Sequence, residues 1–194
     1  KAMNSKPSLE ADFGDLPEWN LDDLYPHELG RCLCRERQAD KLERTLKVSK
    51  APQLVVGPRK VGKTALIHEM VRRYREKKGN VQRRFWLLSP QRLISGMSYV
   101  GQWESRLMTI LKHASEKDLV LVFSDLLGLF SAGVTRDSNL CVADVLKPFL
   151  QRKQVQILGE CTEQGLAVLR ERDRGFADLF TVTRLEETTA AETL

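Results

Sequence analysis

The chain has 194 residues, of which 42% are hydrophobic and 29% are charged, and its formal net charge is +5 at pH 7. These values are ordinary for one globular domain with a sizeable core, and no apolar run reaches the length of a membrane-spanning helix. The basic residues are spread along predicted helices without interleaved aromatic residues. This pattern favours solvated helix faces and disfavours nucleic acid as a partner.

The cysteine and histidine residues show no metal-site spacing. Cys32 and Cys34 are followed by two distant single cysteines, and the three histidines add no ligand pattern. We expect reduced, mostly buried thiols in the cytoplasm or another reducing compartment. No signal peptide is visible, and the first residues, KAMNSKPS, are typical of a linker.

Residues 1–30 are predicted to form a flexible lead-in, with a short ordered segment near 19–25. Strands that alternate with helices predict an α/β fold with a mostly parallel sheet covered on both faces. The hydrophobic periodicity predicts, in chain order, a helix at 35–48, strand 53–56, helix 65–78, strand 84–88, loop 93–101, helix 103–115, strand 118–125, loop 131–139, helix 140–151, strand 155–159, helix 164–172 and strand 180–183.

The first predicted strand runs directly into GPRKVGKT at positions 57–64, which fits the phosphate-binding pattern G-x-x-x-x-G-K-[ST]. Gly57 and Gly62 allow backbone N–H groups to face an anion. Lys63 supplies a positive charge for the terminal phosphates, and the Thr64 hydroxyl is a hard ligand for Mg²⁺. The alternative is an ordinary glycine-rich turn. Phosphate contacts are predicted for Gly57, Pro58, Lys60, Val61, Gly62, Lys63, Thr64 and Ala65.

A second metal ligand is predicted at Asp125, which ends the most apolar strand of the chain. The alternative is that Asp125 caps the following helix. Many nucleotide hydrolases have Glu directly after this Asp as a general base, which is worth about 10²–10⁴ in rate. Here that residue is Leu126. The sequence therefore supports nucleotide binding better than turnover.

Several ordered segments resemble the first ATPase module of Clp-type AAA+ protein unfoldases and disaggregases. The similarity covers residues 33–187, most of the large α/β subdomain of that family. The segments that carry it are LCRE at 33–36, LISGMSYVGQWESRL at 93–107, GLFSAG at 128–133 and VADVLKPFLQRKQVQILGECTEQG at 142–165.

The resemblance implies a P-loop NTPase three-layer αβα sandwich with a mostly parallel five-stranded sheet. It implies binding of ATP or ADP with Mg²⁺, with Leu33 and Cys34 near adenine and Thr162 as a polar sensor of the terminal phosphate. Tyr99 would grip a polypeptide client in the pore of an oligomer of homologous AAA+ subunits. The alternative for Tyr99 is a surface aromatic residue. Residues 188–194 would begin the family's helical lid subdomain.

Departures from the family pattern concern hydrolysis. Besides Leu126, residues Asp178 and Leu179 stand where the family has arginines that act on a neighbouring subunit's nucleotide. An arginine of this kind is worth about 10³–10⁵ in rate. We therefore expect severely impaired hydrolysis, although Glu160 is a candidate substitute base.

The sequence leaves three functional hypotheses. The first is an ATP-binding Clp-like domain with weak or lost hydrolysis, in which nucleotide tightens subunit contacts. The second is a working ATP-driven unfoldase module, and the third is a nucleotide-free scaffold, against which the intact loop argues. A small-molecule kinase would need an acceptor pocket and lid arginines that the sequence does not show.

Overall fold

The computed structural model describes residues 20–25, 27–77, 83–97 and 99–187. Its helices and strands alternate along the chain. They are α1 (Glu36–Val48), β1 (Gln53–Val56), α2 (Lys63–Glu76), β2 (Phe85–Leu88), α3 (Pro90–Ile94), α4 (Val100–Glu116), β3 (Val120–Phe123), α5 (Val142–Gln151), β4 (Gln156–Cys161), α6 (Glu163–Arg172), α7 (Arg174–Ala177) and β5 (Thr181–Arg184), with 3-10 helices at Leu21–Leu24 and Leu127–Phe130.

The five strands form one sheet in the order β2-β3-β4-β1-β5, and all four neighbouring pairs are parallel. The apolar, β-branched composition of β1 and β3 suits strands that are buried on both faces. The position of β1 between β4 and β5 brings the segment that follows it to the sheet's carboxyl edge. Ligands bind at this edge in open parallel sheets.

Helices cover both faces of the sheet and produce two separate hydrophobic clusters. Leu54 and Val56 of β1 pack with α4, α5 and α6, whereas Val55 packs on the opposite face with α1 and α2. This alternation follows from the two-residue side-chain period of a strand. The predicted three-layer αβα sandwich is therefore confirmed.

The ordered fold begins earlier in the chain than residue 31. Asn20 forms an antiparallel bridge with Trp86 of β2, and the Asp22 carboxylate accepts a hydrogen bond of 2.8 Å from the Phe85 N–H. Burial raises the pKa of Asp22, and the Phe85 N–H and nearby arginines act in the opposite direction. The short ordered segment predicted near 19–25 is therefore present at residues 20–25. The lead-in predicted over 1–30 stays a prediction, because residues 1–19 and 26 lie outside the described ranges.

Two sequence-based boundaries need correction. The strand predicted at 118–125 spans only Val120–Phe123, so Asp125 lies two residues beyond its end. The loop predicted at 93–101 is shorter than expected, because α3 occupies Pro90–Ile94 and α4 already begins at Val100. Pro90 at the first turn of α3 is a helix-start signal that the sequence reading missed. Among the described helices, none has the length and apolar character that a membrane crossing requires.

Candidate nucleotide-binding site

The loop between β1 and α2 has a backbone that only glycine can supply at two positions. Gly57 is buried, and a Cβ atom added there would lie 2.6 Å from the Leu185 carbonyl oxygen. Gly62 has φ of +99° directly before α2, a left-handed conformation that favours glycine. The two glycines therefore shape the loop that leads into α2, and the free N–H groups at the start of a helix stabilise an anion.

Two basic side chains brace this loop. Lys63 Nζ lies 3.0 Å from the Gly57 carbonyl oxygen and 2.6 Å from that of Pro58. Arg35, which is 8% exposed, donates to the carbonyl oxygens of Val61 at 3.4 Å and Glu186 at 2.5 Å. Arg35 was not among the predicted site residues, although it belongs to the LCRE segment that the sequence analysis identified.

Glu160 lies beside the predicted metal ligand Thr64. The Thr64 hydroxyl Oγ1 is 3.1 Å and 2.9 Å from the two Glu160 carboxylate oxygens. Burial raises the pKa of the Glu160 carboxyl, while the hydrogen bond from Thr64 and the charge of Lys63 act in the opposite direction. Thr64 itself is exposed, so its remaining oxygen lone pairs are accessible.

Asp125 lies after β3, at the same carboxyl edge of the sheet. Its carboxylate accepts a hydrogen bond of 2.9 Å from the Gly128 N–H, and the Gln91 side-chain amide lies 3.4 Å away. The side chain is exposed. Asp125 thus stabilises the turn that leads into the 3-10 helix Leu127–Phe130, and it stays accessible as a predicted metal ligand.

Leu126 occupies the position where a general base would be expected, and it is part of the core. It is 2% exposed and packs against β4, where a Cβ atom added to Gly159 would lie 2.7 Å from Leu126 Cδ1. Its side chain is therefore directed into the hydrophobic cluster.

The oxygen ligands at this edge suit Mg²⁺. The Thr64 hydroxyl, the Glu160 carboxylate and the Asp125 carboxylate are all hard oxygen ligands. Within the described ranges, no group of three or more His, Cys, Asp or Glu side chains could hold a metal ion by itself. The side chains of Thr64 and Asp125 are therefore chemically suited to Mg²⁺, and their role as its ligands stays a prediction.

Comparisons with known proteins point to one family. No family model matches the chain. The chaperone protein ClpB of Aquifex aeolicus is 26% identical over 180 residues, which cover 90% of this chain. ClpB of Malacoplasma penetrans is 27% identical over an alignment of 202 positions that covers 99% of the chain.

The fold comparison agrees with the sequence relatives. The S. cerevisiae Hsp104–ADP complex matches 90% of the chain with a TM-score of 0.71 at 24% identity. The extended S. cerevisiae Hsp104–casein complex matches 92% with a TM-score of 0.77. The chain is similar in sequence to ClpB chaperones and shares its fold with the matched part of Hsp104, which supports a Clp-type AAA+ module.

The match concerns one part of much longer proteins. The chain spans 18% of the length of the Aquifex aeolicus relative and 28% of the Malacoplasma penetrans relative. It spans 25% of the Hsp104 chain in the ADP complex. The Clp-type module therefore corresponds to a single part of those chaperones.

The predicted sensor residue Thr162 has a clear structural role. Thr162 Oγ1 accepts a hydrogen bond of 3.0 Å from the Gly165 N–H and caps α6. Burial raises the pKa of the adjacent Cys161 thiol to about 11, which keeps the thiol protonated at neutral pH. The sensor role of Thr162 stays a prediction.

The three remaining predicted residues, Leu33, Cys34 and Tyr99, are exposed. Leu33 is 74% exposed, and Cys34 has φ of +56°, in the left-handed region that favours glycine. Tyr99 directly precedes α4 and is 73% exposed. Among the described hydrogen bonds and ring contacts, none joins Tyr99 to the loop, and the adenine and client roles stay predictions.

Proposed function

We propose that this Clp-type module binds ATP or ADP with Mg²⁺ and hydrolyses ATP weakly or not at all, as part of a protein-remodelling chaperone in a reducing compartment such as the cytoplasm. The observation that carries this proposal is the contrast at the sheet edge. Gly57 and Gly62 keep the backbone of a phosphate cradle, whereas Leu126 is buried in the core.

Different residues contact different parts of the nucleotide. Lys63 and the first N–H groups of α2 bind and neutralise the terminal phosphates. The Thr64 hydroxyl and the Asp125 carboxylate hold Mg²⁺, which neutralises phosphate charge when bound. Leu33 and Cys34 border the adenine.

Weak hydrolysis follows from the missing charged groups. Asp178 is exposed and lies 3.8 Å from Arg174 in an ion pair, at a position where the family has an arginine. A carboxylate there repels a neighbouring subunit's phosphates instead of stabilising charge on them. We therefore propose that nucleotide tightens contacts between AAA+ subunits and that the exposed Tyr99 contacts a polypeptide client.

Thermal unfolding with and without Mg-ATP tests the binding proposal. A ligand at 100 times its dissociation constant stabilises a protein by about 2.7 kcal/mol, so we expect a clear rise in Tm. Lys63→Ala should abolish the rise, and Lys112→Ala, which removes an exposed lysine of α4, should preserve it. An unchanged Tm together with no calorimetric binding would favour the nucleotide-free scaffold.

A working ATPase is the second candidate, because Glu160 is a half-buried carboxylate next to Thr64. In that case steady ATP turnover should be measurable, and both Lys63→Ala and Glu160→Gln should abolish it. Turnover that survives Glu160→Gln would show that Glu160 is not the base.

A further inference from the structure

Glu160 is a charged side chain that nucleotide binding alone does not require. Its backbone is fixed by the sheet, because Glu160 of β4 lies opposite Val55 of β1. From this position the carboxylate accepts the hydrogen bond of Thr64 Oγ1 at 2.9 Å. The two residues are 96 positions apart in the sequence. The contact is therefore a product of the fold rather than of local chain geometry.

The direction of this hydrogen bond matters for a metal. A threonine hydroxyl has one proton and two acceptor lone pairs. Because Oγ1 of Thr64 donates its proton to Glu160, its lone pairs are directed away from the carboxylate and stay available to a hard cation. Glu160 thus orients Thr64 as a ligand and places a second hard oxygen beside it.

The same carboxylate is unfavourable for a phosphate that arrives without a cation. Two like charges about 4 Å apart repel strongly at the effective dielectric constant of a partly buried site. Lys63 is the basic side chain whose charge acts on Glu160, and it is also the predicted phosphate ligand. A single lysine cannot neutralise both the carboxylate and a polyphosphate, whereas a divalent cation supplies the missing charge.

We propose that Glu160 makes nucleotide binding depend on a divalent cation, so that this module accepts a nucleoside phosphate as its Mg²⁺ complex and rejects the metal-free form. This inference rests on the proposed function and adds that the nucleotide must carry a bound divalent cation. It assigns Glu160 as a specificity-determining residue that contacts the metal ligand Thr64.

Calorimetric titration of the full chain with ADP, once with excess MgCl₂ and once with EDTA, tests the rule. We expect ADP to bind about 100-fold more tightly with Mg²⁺, since removing one close charge repulsion is worth about two factors of ten. Glu160→Gln keeps an acceptor for Thr64 but removes the charge. It should tighten metal-free ADP binding at least tenfold and reduce the Mg²⁺ preference to about threefold.

Glu163→Gln is the matched control, because it removes an equal charge three residues further along. Glu163 pairs with Arg184 at 2.6 Å and does not contact Thr64, so this variant should keep the wild-type Mg²⁺ preference. Glu160→Ala provides a second neutral variant, with folding checked by thermal unfolding without ligand. If both Glu160 variants fail to fold, Glu160 is a structural residue and the proposal is overturned.

The remaining outcomes separate this inference from the proposed function. Equal ADP affinity with Mg²⁺ and with EDTA in the wild type overturns the inference and leaves nucleotide binding intact. An unchanged Mg²⁺ preference in Glu160→Gln also overturns it, because Glu160 then only accepts a hydrogen bond. Absence of ADP and ATP binding under both conditions overturns the proposed function itself.

Discussion

The carboxyl ends of β1 and β3 lie at the same edge of one parallel sheet, yet they are built differently. After β1, the chain keeps a loop in which Gly57 has no room for a side chain and Gly62 is left-handed. After β3, the chain turns inward and buries Leu126 against Gly159. The backbone of the predicted phosphate loop and the residue at the expected general-base position are therefore separable features of this fold.

The β3 end is specialised for packing. Leu126 and Leu129 both belong to the hydrophobic cluster, and Asp125 accepts the Gly128 N–H at the turn between them. The turn is therefore stabilised by its own hydrogen bond and by burial. Asp125 therefore has a structural role in this turn that does not depend on a metal.

Leu126→Glu tests the comparison most severely, because it restores the family's residue at a position that is now core. Burying a carboxylate without a partner should cost about 4 kcal/mol or more of unfolding free energy, measured by urea denaturation. Leu127→Glu is the matched control, since Leu127 is 37% exposed, and it should change stability by less than about 0.5 kcal/mol. A stable Leu126→Glu variant that hydrolyses ATP would contradict our account of the β3 end.

Gly57→Ala tests the β1 end. The added Cβ would meet the Leu185 carbonyl oxygen, and such overpacking should cost about 1–3 kcal/mol of stability together with nucleotide binding. Gly101→Ala is the control, because Gly101 lies in α4 with open space around it. That change should leave stability unchanged or raise it by up to about 0.5 kcal/mol. Equal behaviour of the two variants would show that the loop is not tightly packed.

Thr162→Ala tests whether the residue that follows β4 stabilises the fold, as the residues after β3 do, or contacts the nucleotide, as proposed for the loop after β1. Loss of the α6 cap should cost about 1 kcal/mol, measured by thermal unfolding, and Thr162→Ser should restore it. If Thr162→Ala instead leaves stability unchanged and weakens ATP binding selectively, the sensor role gains support over the capping role.

The sequence alone was enough to predict strand β1 and the loop after it, because the two are contiguous and the glycines act through the local backbone. It predicted poorly whatever depends on distant contacts. The hydrogen bond between Thr64 and Glu160 joins residues on different elements, and the bracing of Val61 by Arg35 depends on the folded position of α1. From the sequence, Leu126 was interpreted only as the loss of a general base, because the sequence could not show that its side chain packs against Gly159.

The segment at 20–25 has a practical consequence for where this fold starts. β2 is an outer strand, and the bridge from Asn20 to Trp86 and the acceptor Asp22 satisfy part of its free edge. A fragment trimmed to residue 31 would leave those backbone groups open to pairing with another molecule. Self-association of such a fragment would then reflect an uncovered strand rather than the assembly of a chaperone ring.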